Sequence, residues 1–309
     1  MHKSARIGFV AVGLALLAQA PSAGNYAFTS IDFPSSVGPI REDTLVSGIN
    51  DHGQIVGSHV AEGTTITIDG FLLSQGVFTL IDVPASDYTR ATGINNVGQI
   101  VGDAGGVRLF GSEYFLLNGG TFSPVLLPGL PFGIGVTDSG SGGGPKINNR
   151  GEVLVNTLAP GFFLGHGLLF SERGFTEIAP PGSVLALAWG LNDKDEVVGS
   201  YRAGDVNAYD QGYLFSAGTY TNINVPGGLW TLAAGINNNG QIVGAYLGPR
   251  LGARGFVLSH GIFNSIDFPG AAQTLAWDIN NIGQIVGIYE DTRNHYAHGF
   301  VATPNYAHH

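Results

Sequence analysis

A nine-residue phrase occurs six times in this chain, and no other feature restricts the possible folds as much. The copies begin at Ile49, Ile94, Ile147, Leu191, Ile236 and Ile279. Each reads aliphatic, Asn, Asn or Asp, any residue, Gly, Gln or Glu, two aliphatics and Gly. Asp195 replaces the first Gly of the fourth copy, and Val155 replaces the last Gly of the third. The phrase asparagines Asn50, Asn95, Asn148, Asn192, Asn237 and Asn280 are separated by 45, 53, 44, 45 and 43 residues. A period of this length holds four strands, as in a propeller blade, and is longer than a leucine-rich or ankyrin repeat.

The pattern inside one unit decides between strands and helices. Residues 231–237 alternate into the turn Asn238-Asn239-Gly240, whose residues tolerate the positive φ of a tight hairpin. Residues 241–246 read as a second strand, Gly255 to Leu258 as a third, and Ile262 to Phe268 as a fourth, which Pro269-Gly270 ends. No stretch sustains a 3.6-residue apolar period. The unit is therefore an antiparallel four-stranded meander.

The two ends of the chain supply the topology. Tyr26 to Pro34 matches the fourth strand of other units, such as Gly261 to Pro269, whereas His298 to Val301 matches a third strand and no fourth follows. An N-terminal strand that joins the C-terminal blade removes two sheet edges at once. The expected fold is an all-β, six-bladed β-propeller of four-stranded antiparallel blades, closed in this way. An open solenoid of six units is the alternative, and it leaves the matching half-units unexplained.

Forty-nine glycines and 12% charged residues would suggest low complexity, but 44% of residues are hydrophobic and they alternate with polar ones, so a core can form. A formal charge of −10 excludes the clustered basic surface that nucleic acid or an anionic membrane demands. His2, Lys3 and Arg6 precede an apolar run from Ile7 to Leu17 and then Pro21-Ser22-Ala23, which is the pattern of a secretory signal cut after Ala23. The run is shorter than a bilayer span. The domain reading is a signal peptide over 1–23 and one propeller over 24–309, secreted or periplasmic, with no membrane span after cleavage. The chain has no cysteine, so repetitive burial must do what disulfides do in many exported domains.

From about Tyr26 to Pro304 the repeats resemble the HAF family of predicted extracellular repeats, whose units carry an Ile-Asn-x-x-Gly-x-Ile-Val-Gly phrase followed by a His-Ala-Phe-like strand. The resemblance implies export from a bacterium and an array architecture, and it brings no catalytic residue set. In the tripeptide, His166 and His298 keep the His, while Asp69, Glu113, Gln211 and Arg254 stand there in other units.

Chemistry is sought where the copies differ. The Asn/Asp turns look superficially like calcium loops, but they lack the alternating oxygens and the later bidentate acid, so no metal or other cofactor is expected. Asp32, Asp82 and Asp267 end fourth strands, and Leu126, Ala179 and Asn224 break the would-be ring. Trp189 and Trp277 stand three residues before the phrase Asn, where central packing is the expected role and a carbohydrate platform the alternative. The insertion Thr137 to Gly144 reads as drift in one blade, with a ligand-closing loop as the alternative. The loops between strands two and three and between blades share one face, which suits recognition. Tyr201, Tyr246 and Tyr289, equivalent to His59, end second strands there. With Arg202, Arg293 and His295 they are the candidate contacts for a glycan, peptide or small-molecule ligand.

A binding or interaction scaffold is the favoured function. A secreted hydrolase or lyase acting on a glycan or lactone is the alternative, and it requires several of His59, Asp87, Asp205, Glu290, Asp291 and His295 to converge with shifted pKa values. A structural surface or matrix component is the third reading, distinguished by a scaffold without a polar pocket. No Gly-x-Ser-x-Gly or His-Glu-x-x-His motif is present.

Overall fold

The computed structural model describes residues 19–23, 25–34, 41–63, 65–105, 113–125, 144–158, 165–172, 174–205, 208–248 and 252–305. The insertion expected at Thr137 to Gly144 lies, except for Gly144, outside the described residues, as do Leu126 and the apolar run of the expected signal. The described chain forms six antiparallel sheets and contains no helix, and it is a six-bladed β-propeller.

Blade 1 comprises Arg41–Ile49, Ile55–Glu62, Ile66–Ser74 and Val77–Ile81, paired in chain order. Blades 2 to 5 repeat this order from Tyr88–Ile94, Lys146–Ile147, Ser183–Leu191 and Trp230–Ile236 outward. Blade 6 begins with Gln273–Ile279, Ile285–Glu290 and Ala297–Pro304, and its fourth strand is Tyr26–Ile31. Tyr26 faces Pro304 and Ile31 faces Gly299, so the N-terminal strand closes the ring as the end motifs imply. Gln19–Ala23, inside the expected signal segment, adds a fifth strand outside Tyr26–Ile31.

Each first strand is innermost, and all except Lys146–Ile147 carry a bulge, for example between Val46 and Gly48. The bulge explains the last Gly of the phrase. A Cβ on Gly244 would fall 1.9 Å from the Leu232 carbonyl oxygen and 2.9 Å from the Phe256 ring; on Gly57 the corresponding distances are 2.2 Å to Leu45 and 2.7 Å to Phe71. Blade 3 departs consistently. Its first strand is only Lys146–Ile147, and Val155 faces Leu168 where the other blades pair Gly with Phe or Tyr. The extra methyl groups occupy the space of the missing ring.

Cores lie between neighbouring sheets. In blade 1 Phe71 and Phe78 meet edge to face at 5.2 Å, and Phe256 and Phe263 do so in blade 5 at 5.4 Å. The sequence Asp/Asn-Phe/Val-Pro also gains a role between blades. The N–H before the proline donates to a threonine of the next first strand: Phe33 to Thr44, Val83 to Thr89, Val225 to Thr231 and Phe268 to Thr274, at 3.0 to 3.1 Å. A strand end that would leave an unpaired N–H thereby fastens one blade to the next.

Candidate functional site

The hairpins that carry the repeated phrase surround the axis on one face. In blade 5 the Asn237 amide donates to Gln241 Oε1 at 2.8 Å and to the Asn280 carbonyl of blade 6 at 3.0 Å, and its oxygen accepts the N–H groups of Asn239 and Gln241. Asn has two donors and one oxygen with two lone pairs, and all four are used. The interblade bond recurs from Asn50 to Asn95, Asn95 to Asn148, Asn148 to Asn192, Asn192 to Asn237 and Asn280 to Asn50, which makes a closed ring.

A second ring uses the next residue. The N–H of Asp51, Asn96, Asn149, Asp193, Asn238 and Asn281 each donates to the side-chain Oδ1 of the following blade. Asn96 and Asn281 also donate to Asp51 Oδ2, and Asn149 and Asn238 to Asp193 Oδ2. Burial opposes ionisation of Asp193, but the bonds from Asn238 and Asn149 hold its pKa below the ordinary range. The phrase is a blade clamp as well as a turn.

These rings surround a cavity of about 70 Å³ that reaches Asp278. Above it the first strands nearly touch: Cβ atoms at Gly190 and Gly235 would lie 2.9 and 2.8 Å from the Cα of Gly235 and Asp278. In the glycine column Gly48, Gly93, Gly190 and Gly235, blades 3 and 6 carry Lys146 and Asp278 instead. Innermost strands present unpaired backbone groups to the axis, and these two side chains satisfy some of them. Lys146 Nζ donates to the carbonyls of Ser47 and Thr92 at 2.7 and 2.8 Å, and Asp278 accepts the N–H of Ile49 and Ile279. Burial lowers the Lys146 pKa and raises that of Asp278, each partly opposed by the other's charge. Sequence reasoning missed both residues; comparing the six copies at this position would have found them.

Trp189 and Trp277 pack together over Ala234 with ring centroids 5.9 Å apart, and Trp189 Nε1 donates to Ser200. Both are buried, so they plug the centre as expected for packing residues and offer no stacking platform.

The opposite, loop face holds the residues expected to bind. Tyr201 is only 8% exposed, lies in the blade core against Tyr213, and donates to Asn222. Tyr289 stacks on Phe268 at 3.7 Å with its hydroxyl 3.0 Å from Ser30 Oγ, and burial raises its pKa. Tyr246 is half-buried against the neighbouring core. These rings cover the residue before the preceding blade's proline, which turns two of them away from solvent. Arg202 Nε donates to Asp210 Oδ1 at 2.8 Å. Arg293 and His295 are exposed at the blade 6 loop, where His295 Nδ1 lies 2.5 Å from Glu290 Oε1 and lowers the Glu290 pKa.

The six candidates therefore belong to separate places. Tyr201 and Arg202 lie on blade 4, Tyr246 on blade 5, and Tyr289, Arg293 and His295 on blade 6. Of the acids and histidines that hydrolysis would require together, Glu290, Asp291 and His295 share the blade 6 loop, His59 is on blade 1, and Asp87 and Asp205 adjoin blades 2 and 4. Nearby, His298 Nδ1 is 2.6 Å from Asp32 Oδ1, and that bond raises its pKa. The Asp32 and Asp267 carboxylates thus meet third-strand His298 and Arg254 rather than form a ring. Among the described residues no three His, Asp or Glu side chains are grouped to hold a metal ion.

Sequence reasoning also missed a patch at the seam of blades 4 and 5. Tyr209 is 61% exposed and Leu229 51%. The bond from Thr231 N–H to the Asp210 carbonyl joins their two segments, and Trp230 and Tyr246 are half-buried beside Leu229 and Gly228. The pair Arg202 and Asp210 borders this apolar surface.

No family model matches the chain, and no curated protein matches it. Solved structures share its fold. The chain is similar to the β-propeller domain of the trilobed protease from Pyrococcus furiosus, at TM-score 0.54 and 9% identity over 86% of this chain and 98% of that one. It is similar to TolB from Acinetobacter baumannii, at TM-score 0.52 and 10% identity over 85% and 64% of the two chains. A gluconolactonase from Xanthomonas campestris gives TM-score 0.51 at 10% identity over 91% and 90%. Such different proteins on one scaffold leave function to the residues of the site.

Proposed function

We propose that the protein is an exported scaffold of the HAF type that binds a ligand on its loop face, at the seam of blades 4 and 5. The supporting observation is the exposed apolar pair Tyr209 and Leu229, backed by Trp230 and Tyr246 and bordered by the Arg202–Asp210 pair. Rigid aromatic surface beside fixed polar groups suits a sugar ring or a peptide segment, because stacking supplies area and the ion pair supplies orientation. The hairpin face is a poorer choice, since its asparagines spend their hydrogen bonds on neighbouring blades.

Purified protein would be screened on arrays of oligosaccharides and peptides, and then compared with Tyr209→Ala/Leu229→Ser. Both side chains are largely in water, so the denaturation midpoint should stay put while affinity falls about tenfold or more. An unchanged Kd for the array ligand would reject this seam as the binding surface.

A further inference from the structure

Three buried side-chain atoms among the described residues have no hydrogen-bond partner: Asp267 Oδ1, His298 Nε2 and His59 Nε2. Asp267 and His298 are held through another atom, by Ser265 and Asp32 respectively. His59 is different. It is 8% exposed, yet neither ring nitrogen hydrogen-bonds to a described residue. A buried polar group without a partner is costly and calls for an explanation.

The repeat supplies the comparison. Tyr201 and Tyr289 occupy the same place in blades 4 and 6, and their hydroxyls meet Asn222 and Ser30 on the fourth strands. In blade 1 that fourth-strand place holds Leu80, opposite Phe71 as Asn222 is opposite Tyr213. The internal partner has been removed and a titratable ring installed. Around it, Glu42 Oε1 lies 3.8 Å from Nε2, Asp69 is the directly opposed residue of the third strand, and Phe33 stacks on the ring at 4.6 Å. Burial keeps the imidazole below its ordinary pKa against the opposing charges of Glu42, Asp69 and Asp43, which favours the neutral form with its acceptor nitrogen.

We propose that His59, Glu42 and Asp69 form a subsite for the primary ammonium group of a ligand. An ammonium group has three N–H donors and no acceptor. The imidazole and two carboxylates supply three acceptors and the countercharge, with Phe33 as an apolar wall. A bare metal ion fits less well, because these side chains are not grouped closely enough to ligate one. Admitting the group requires the Glu42 side chain, which is 25% exposed, to move away from the ring. This subsite is on blade 1 and does not depend on binding at the seam of blades 4 and 5.

The test follows the histidine ring signals by NMR while n-propylammonium is added, with tetramethylammonium as a probe that has the charge but no N–H donor. One signal should move saturably with n-propylammonium and stay still with tetramethylammonium. It should vanish in His59→Phe, which retains the stacking on Phe33. Glu42→Gln should raise the Kd about tenfold, the loss of one charge-assisted bond. Glucosamine and Nα-acetyl-lysine then distinguish an amino sugar from an amine side chain as the source. An absent shift, an equal shift with tetramethylammonium, or saturable Zn²⁺ binding at His59 would each overturn the proposal. Because the readout is a ring on blade 1, failure here leaves the Tyr209 and Leu229 experiment intact, and the converse holds.

Discussion

Replacing Asn237 by alanine isolates what the repeated phrase contributes to the fold. The substitution removes two donated bonds, to Gln241 Oε1 and the Asn280 carbonyl, and two accepted ones, from the N–H groups of Asn239 and Gln241. At about 1 kcal/mol net per bond the loss is about 4 kcal/mol. The Asn280 carbonyl keeps its bond from Gly283, so it is not orphaned and adds no large further penalty. That is a large fraction of the stability of a typical domain. Urea denaturation followed by tryptophan fluorescence reads the change, since Trp189 and Trp277 sit at the centre. Asn280→Ala is the companion variant, because its interblade bond crosses from blade 6 to the Asn50 carbonyl of blade 1. In a closed ring it should cost within about 1 kcal/mol of Asn237→Ala, as one bond differs in direction but not in kind. A cost below about 1 kcal/mol for Asn237→Ala would refute the clamp. A normal cost for Asn237→Ala with a much smaller one for Asn280→Ala would refute closure at the axis.

Two further outcomes are expected. Leu168→Phe should destabilise by about 1–3 kcal/mol, because blade 3 has Val155 where other blades leave a Gly beneath the ring. Adding Val155→Gly should recover part of that loss, and thermal melts showing simple additivity would contradict the compensation. The third concerns pH. The bond to Asp32 raises the His298 pKa in the folded state, so its stabilisation is complete below the ordinary histidine pKa and is lost as pH rises through the raised value. The wild-type protein should therefore lose denaturant resistance on passing from slightly acid to slightly alkaline pH, and His298→Gln should flatten that slope. Equal slopes in the two proteins would remove His298 from the account.

The architecture was legible because it rests on local patterning. Alternation, turn residues and the half-units at Tyr26 and His298 determine strands, blade number and closure, and the structure has all three. The site was less legible because its contacts join residues on different strands or neighbouring blades. Tyr289 reads as a surface aromatic until Phe268 is placed beneath it, and Tyr201 until Tyr213 is. Tyr209 and Leu229 had no repeat to single them out. Lys146 and Asp278 carried a visible signal, charge in a glycine column, and its meaning depends on the narrow axis.

The asparagine ring also bears on how the propeller closes. Its bonds join residues 43 to 53 positions apart within the chain and 230 positions apart at the closure, yet the donor, the acceptor and the length near 3 Å are the same. At the axis the break in strand order leaves no trace. It lies further out in blade 6, where Tyr26–Ile31 pairs with Ala297–Pro304, and the ring of asparagine bonds runs through it without interruption.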